Sequence, residues 1–126
     1  MKKALIKSGH YNIEIDFLDT HTAKVIYSEL PIISKVNLWG HEVYFHTDLK
    51  IKIEKEARQI VEKGEIAYWS QGDAIAIGYG PTPISINQEI RLVSDCNIWA
   101  KTEYDLEQLN SLKEQQEIII THEKNL

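Results

Sequence analysis

The feature that most constrains this chain is strict alternation between apolar and polar residues over positions 11–17. Every second position is apolar: Tyr11, Ile13, Ile15 and Phe17. Because successive side chains of a β-strand point to opposite faces, this period of two predicts a strand with one buried face. The turn sequence Ser8-Gly9 precedes it and predicts a hairpin whose first strand covers Lys2–Lys7.

The apolar period then changes from two to that of a helix. The positions i, i+3, i+4 and i+7 are apolar: Ala23, Ile26, Tyr27 and Leu30. This spacing places one apolar stripe on an α-helix and predicts a helix within 20–30. Thr20 or Thr22 can cap its start, since a hydroxyl accepts a hydrogen bond from a free backbone N–H. Pro31 ends it, because the residue before a proline disfavours helical geometry.

The rest of the chain returns mainly to short apolar segments that predict strands. They are Val36–Trp39, a strand from Glu42 onward, Ile66–Trp69, Ala74–Tyr79, Ile90–Val93, Asn97–Lys101 and Ile118–Thr121. Between these strands, the sequence predicts one or two helical turns and, later, a second clear helix. One or two turns cover Ala57, Ile60 and Val61 and end at Gly64, and leucines at positions 106, 109 and 112 predict a short second helix. Thr102 and Asp105 are candidates for its start.

These elements predict a mainly β fold of about eight strands with two clear short helices. Strands and helices do not alternate, so a parallel doubly wound sheet is not expected. A closed antiparallel β-barrel capped by the two helices leaves no open sheet edge, and we expect that architecture. The length of 126 residues predicts one domain over 1–126.

Charge and cysteine content narrow the partners and the compartment. There are 14 Lys and Arg against 19 Asp and Glu, for a net charge of −5. Binding to nucleic acid or an anionic membrane relies on cationic patches, so we expect neither. Cys96 is the only cysteine, and the apolar run near the start ends at Lys7, too soon for a signal peptide. We therefore expect a cytoplasmic protein.

The residues give no sign of a metal, a cofactor or a catalytic nucleophile. His41, Glu42 and His46 approach the zinc motif H-E-x-x-H, but the histidines are five residues apart in a predicted strand and would face opposite sides. Cys96 lacks the surroundings that activate a thiol. We expect no metal site, no cofactor and no catalytic residue of these kinds.

Alternation in the strand after Gly40 indicates a recognition surface. Val43 and Phe45 are apolar, whereas Glu42, Tyr44 and His46 occupy the opposite face. If the apolar face is the barrel interior, these three side chains lie on the outer wall. An exposed tyrosine between a glutamate and a histidine is a plausible binding spot.

Three segments resemble the small prokaryotic cyclophilin-like proteins. Residues 36–45 read V-N-L-W-G-H-E-V-Y-F, residues 64–69 read G-E-I-A-Y-W, and residues 78–83 read G-Y-G-P-T-P. The family reads V-N-x-W-G-E-E-I-Y-F, G-D-I-x-Y-W-P-P-G and F-F-G-x-T-P. The resemblance implies a cyclophilin-type barrel, and its nearest subfamily has no established activity.

The resemblance also implies where a ligand would bind. Classical cyclophilins isomerise X-Pro bonds on the outer wall with a catalytic arginine, and no arginine lies between Ile32 and Lys55. We therefore expect a module that binds a small molecule or an extended peptide in an outer groove. Its expected lining is Glu42, Tyr44, His46, Tyr68, Trp69 and Asn97.

Two alternatives to the binding module remain open. The first is a weak prolyl isomerase, in which His46 partly replaces the missing arginine. The second is an oligomeric scaffold, with Trp99 and the loop Pro81–Ile86 as candidate interfaces.

Overall fold

The computed structural model describes residues 2–122, which form ten strands, one α-helix and one 3₁₀ helix. The strands are β1 (Lys3–Ser8), β2 (Tyr11–Phe17), β3 (Ile32–Lys35), β4 (Asn37–Leu38), β5 (Glu42–His46), β6 (Arg58–Val61), β7 (Glu65–Trp69), β8 (Ala74–Gly78), β9 (Ile90–Lys101) and β10 (Glu117–His122). The helices are α1 (His21–Ser28) and the 3₁₀ helix (Leu106–Ser111).

The predicted hairpin and first helix are confirmed. In β1 and β2, Ile6 lies opposite Ile13 in an antiparallel ladder, and the alternating apolar residues of β2 are buried. Thr20 caps α1, since its Oγ1 accepts a hydrogen bond from the backbone N–H of Ala23 at 3.0 Å. The helix buries Ala23 and Ile26, so its apolar stripe closes part of the core.

The sheet curls into a nearly closed antiparallel barrel, as predicted. Its strand order is β3-β10-β1-β2-β9-β7-β8-β5-β4, and β6 pairs with β9 off this path. The strands at the two ends of the order, β3 and β4, are consecutive in the chain. The Ser34 hydroxyl of β3 donates to the His46 carbonyl oxygen of β5 at 2.7 Å, which joins the two sides of the barrel. Phe45, Tyr68 and Trp99 are fully buried among the aliphatic side chains of the interior.

The prediction of helical turns around residues 57–61 is wrong. This segment is strand β6, where Ile60 pairs with Arg91 and Val61 with Ile90 of β9. The two predicted strands 90–93 and 97–101 are one strand of 12 residues, β9. Its first half leaves the barrel and needs a partner for its backbone hydrogen bonds, and β-branched Ile60 and Val61 provide one.

The leucine spacing near the end of the chain belongs to a 3₁₀ helix. Three residues make one turn of a 3₁₀ helix, so leucines at every third position share one face. Leu106 and Leu109 are buried there. Asp105 caps the helix, since its Oδ1 accepts from the backbone N–H of Glu107 at 3.0 Å, whereas Thr102 is not the cap. Neither helix described within residues 2–122 is long and apolar enough to cross a bilayer.

The ribbon made by β6 and residues 90–96 of β9 folds back over the barrel, and we call it the flap. Its buried side chains form a second apolar cluster, separate from the barrel interior, with two alanines of the strands beneath. The cluster contains Val61, Ile90, Leu92 and Cys96 of the flap and Ala67 and Ala76 of the barrel. The flap therefore lies against the outside of β7 and β8.

Candidate functional site

Strand β5 places the predicted recognition residues on the outer wall. Val43 and Phe45 are buried in the barrel interior. Tyr44 packs instead with the apolar cluster under the flap. By alternation, Glu42 and His46 share the face of Tyr44. The outer wall of β5 thus carries the three side chains that the sequence pattern placed there.

Small residues on β7 and β8 let the flap approach this wall closely. Ala76 of β8 lies between Tyr44 on one side and Ala67 on the other. Gly78 lies opposite Glu42, and a Cβ added at Gly78 would be 2.4 Å from Cγ2 of Ile90. The flap covers the start of β5, so a groove open along the whole wall does not exist in this structure.

The covered end of the wall holds a carboxyl group without a partner. Glu42 is 5% exposed, and its Oε1 makes no hydrogen bond. Removal from water disfavours the charged form, so burial raises the pKa of Glu42 to about 8. At neutral pH this side chain is therefore mostly a neutral carboxylic acid, able both to donate and to accept a hydrogen bond.

Cys96 of the flap lies in the same apolar cluster. Its burial first, and then the nearby charges of Glu42 and Asp95, raise the pKa of the thiol to about 12. A thiol needs its thiolate form to react, so Cys96 is inert at neutral pH.

The uncovered end of the wall is aromatic. The rings of Tyr44 and His46 pack edge to face with centroids 5.7 Å apart, and His46 Nδ1 is 2.8 Å from the Gly72 carbonyl oxygen. His46, Ala74 and Trp69 occupy one row across β5, β8 and β7. The Trp69 indole N–H donates to Ser94 Oγ of the flap at 3.0 Å. Tyr44, His46 and Trp69 therefore form an accessible edge beside the flap.

Tyr68 does not reach this edge. Its side chain is 0% exposed and lies in the barrel interior. Neighbouring residues of a strand point to opposite faces, so Trp69 on the outer wall requires Tyr68 inside. The Tyr68 hydroxyl donates to Asp73 Oδ1 at 2.5 Å and accepts from the Ile51 backbone N–H at 3.0 Å. We therefore correct the expectation that Tyr68 lines the outer groove: it positions the segment after β5.

Asn97 is likewise occupied by the protein itself. It is 1% exposed, and its Nδ2 donates to Thr22 Oγ1 at 2.9 Å and to the Lys52 carbonyl oxygen at 3.0 Å. Its Oδ1 accepts from the Glu54 backbone N–H at 2.8 Å. We call this set of contacts the Asn97 junction, which joins α1, β9 and the segment 52–54. A ligand in the predicted groove would find no free polar atom on Asn97 without breaking one of these bonds.

Both arginines of the chain are held by carboxylates. Arg58 Nη1 and Nη2 donate to the two carboxylate oxygens of Glu65 at 2.7 and 2.5 Å, and this pairing lowers the pKa of Glu65. Arg91 Nε donates to Glu89 Oε2 at 2.5 Å. The sequence reading missed the Arg58–Glu65 pair because it placed residues 57–61 in a helix. The β-branched pair Ile60-Val61 was the signal that favoured a strand.

The remaining residues that the sequence suggested for a metal site or an interface lie away from the outer-wall edge. His41 precedes β5 and packs edge to face with Tyr79 at 5.5 Å. Within residues 2–122, no three His, Cys, Asp or Glu side chains come together in a way that could hold a metal ion. Trp99 is 0% exposed and packs against Phe17 in the interior, so the expectation that it forms an interface is wrong. In the loop Pro81–Ile86, Ile84 and Ile86 are exposed.

Comparisons with known proteins agree with the barrel fold. The family model described as Cyclophilin-like matches residues 2–121. Among solved structures, the chain is similar to the hypothetical protein AF2241 from Archaeoglobus fulgidus, with a TM-score of 0.80 and 26% sequence identity. That similarity covers 97% of this chain and 95% of the archaeal one. A search of the curated proteins found no match. The predicted resemblance and barrel fold are confirmed.

Proposed function

The chain belongs to the cyclophilin-like family, and from this premise we propose that it is a binding protein that holds a small molecule or an extended peptide against its outer wall. The observation that carries the proposal is the unpartnered, buried Oε1 of Glu42 on that wall. The ligand would lie along the accessible edge of Tyr44, His46 and Trp69, and it would reach Glu42 by displacing the flap from the start of β5.

An unpaired buried carboxyl is costly, which is why it points to a ligand. Leaving a buried polar group without a hydrogen bond costs about 1–3 kcal/mol. A ligand that brings a donor and an acceptor to Glu42 recovers that free energy. An amide group does both, and the neutral carboxylic acid form of Glu42 is complementary to it. This chemistry favours ligands that contain amide groups, which peptides share with many small molecules.

The aromatic edge supplies the apolar part of the binding energy. Tyr44 and Trp69 are half-buried and offer ring surface at low cost in side-chain entropy. His46 is exposed and keeps its Nε2 on the side of the ring away from the bond to Gly72. Apolar walls with few polar groups are typical of small-molecule sites.

The charges on this wall support binding without turnover. Prolyl isomerisation is accelerated by a fixed cation that stabilises the twisted amide, and loss of one such group costs about 10²–10³ in rate. The guanidinium groups of Arg58 and Arg91 are engaged by Glu65 and Glu89. The accessible edge consists of Tyr44, His46 and Trp69, and none of these side chains is a permanent cation.

A titration with short peptides tests the proposal. The probes are acetyl-Ala-Ala-Pro-amide and acetyl-Ala-Ala-Ala-amide, followed by chemical-shift changes in ¹⁵N-labelled protein at pH 6.5. We expect shifts centred on Tyr44, His46 and Trp69 and no acceleration of cis/trans exchange in the proline peptide. Glu42→Leu should abolish the shifts, whereas Glu42→Gln should keep them, because an amide also donates and accepts.

The control is Glu117→Leu, an exposed glutamate that also begins a strand. This variant should bind as the wild type does. Failure of both peptides to shift the outer wall at 10 mM, or equal binding by Glu42→Leu, would overturn the proposal. Accelerated exchange would replace the binding module by a prolyl isomerase.

A further inference from the structure

A cavity lies beside α1 and shares no lining residue with the aromatic edge or Glu42. It has a volume of ≈ 550 Å³ and lies between the end of β2 and one side of α1. Its walls are mostly apolar and come from Phe17, Leu18, Ala23 and Tyr27. This size is within the range of ~300–1,000 Å³ that small-molecule sites occupy. We call it the α1 cleft.

The aromatic walls of the cleft are fixed by packing. The ring of Tyr27 meets Phe17 edge-on at 5.2 Å and His122 at 4.9 Å. Phe17 in turn packs against the buried ring of Trp99 at 5.2 Å. These contacts hold the Tyr27 and Phe17 rings in place before any ligand arrives, which lowers the entropy cost of binding.

The charged groups of the cleft carry an excess of positive charge. Lys2 Nζ lies 4.4 Å from the centroid of the Tyr27 ring, and Lys24 Nζ is 3.5 Å from Asp19 Oδ1. Lys2, Lys24 and Asp19 all line the cleft, so its lining carries two positive charges and one negative charge. This excess is opposite in sign to the net charge of −5 on the whole chain. Ser28 adds a hydroxyl that donates to the Val25 carbonyl oxygen at 2.7 Å.

From this combination we propose that the α1 cleft binds an apolar carboxylate, that is, an aromatic ring or acyl chain that carries one carboxylate group. The apolar part packs against Phe17 and Tyr27. The carboxylate lies at the rim, where it pairs with Lys2 and competes with Asp19 for Lys24. Charge complementarity selects the anion, and the fixed rings select its apolar body.

The test compares 4-phenylbutyrate with its neutral amide, 4-phenylbutanamide, which has the same shape. Binding is followed by ¹⁵N chemical shifts and by isothermal titration calorimetry in 20 mM and 500 mM NaCl. We expect the carboxylate to bind about tenfold more tightly than the amide at low salt, and the two affinities to converge at high salt. The largest shifts should come from Phe17, Leu18 and Tyr27.

Two variants separate the charge from the cavity. Lys2→Gln should weaken the carboxylate about threefold and leave the amide unchanged, so retained amide affinity also shows that the variant is folded. Ser28→Trp places a ring in the cleft from an exposed position and should abolish both ligands. The matched control is Lys7→Gln. Lys7 belongs to β1, the strand that Lys2 directly precedes, but it does not line the cleft.

Three results would overturn the proposal. They are equal affinity for the acid and the amide at low salt, unchanged binding by Ser28→Trp, and no shift in the cleft with 10 mM of either probe. Binding at the outer wall instead would move the signals of Tyr44 and Trp69, so this test is separate from that of the proposed function.

Discussion

The Asn97 junction and the buried end of the outer wall each contain a polar side chain removed from water, Asn97 in the first and Glu42 in the second. The two side chains differ in the hydrogen bonds that they make. Asn97 makes three hydrogen bonds, one to α1 and two to the segment 52–54. Glu42 has an oxygen that makes none. Both residues are almost fully buried, so burial alone does not distinguish a structural polar group from one available to a ligand.

The two residues differ in whether their hydrogen bonds are made. A buried group whose bonds are all made stabilises the fold, and its loss leaves its partners unpaired. A buried group without a partner destabilises the fold and persists where it has another role or where packing outweighs its cost. The comparison assigns Asn97 to the framework and leaves Glu42 as the basis of the proposed binding site, and each assignment has a measurable consequence.

The largest expected effect is at the Asn97 junction. Asn97→Ala removes the partner of Thr22 Oγ1, the Lys52 carbonyl oxygen and the Glu54 N–H at once, so the free energy of unfolding should fall by about 3–5 kcal/mol. Chemical denaturation measures this difference. Asn110→Ala, an exposed asparagine of the 3₁₀ helix, is the control and should change stability by less than about 0.5 kcal/mol. An equally small effect at Asn97 would place that residue outside the framework.

The sequence predicts features that depend on neighbouring residues better than features that depend on contacts between residues far apart in the chain. Alternation over 11–17 and 42–46 is local, and it correctly assigned faces to Ile13, Phe45 and Tyr44. The same alternation applies to β7, where Tyr68 and Trp69 are neighbours, so Trp69 on the outer wall requires Tyr68 in the interior. The expected groove contained both side chains, which this alternation does not allow.

The flap could not be predicted in the same way. Its position on the wall depends on pairing between β6 and β9, which are about 30 residues apart, and on the close approach of Ile90 to Gly78. The bonds of Asn97 span 43 to 75 residues in the chain. No local pattern encodes contacts of that range, so the sequence identified Asn97 and Glu42 as polar residues of interest without separating their roles.

The second-largest expected effect is the pH dependence of stability that Glu42 causes. Its folded pKa of about 8 lies above the ordinary value of 4.5, so the folded protein keeps a proton that the unfolded chain releases. The contribution of Glu42 to stability is therefore fully present below pH 4.5 and is lost as the pH rises toward 8, by at most about 1.4 kcal/mol per pH unit. In Glu42→Gln, which cannot ionise, this slope should disappear.

Chemical denaturation of the wild type and of Glu42→Gln at pH 5, 6.5 and 8 measures this slope of the free energy of unfolding against pH. Relative to the wild type, Glu42→Gln should gain about 3 kcal/mol of stability between pH 5 and pH 8. Glu117→Gln, with an exposed carboxylate, should keep the wild-type slope. Parallel pH profiles for the wild type and Glu42→Gln would contradict a raised pKa of Glu42 in the folded state.

The smallest effect on stability is expected at the accessible edge. His46 is exposed, and its bond to the Gly72 carbonyl oxygen competes with water, so His46→Ala should change the free energy of unfolding by less than about 0.5 kcal/mol. The same variant should weaken binding of acetyl-Ala-Ala-Pro-amide severalfold, because it removes a ring that packs against Tyr44. A residue that matters for the ligand and not for the fold has a role opposite to that of Asn97. If His46→Ala instead destabilised the protein while leaving peptide affinity unchanged, the edge would belong to the framework, and Glu42 would remain as the sole mark of a site on this wall.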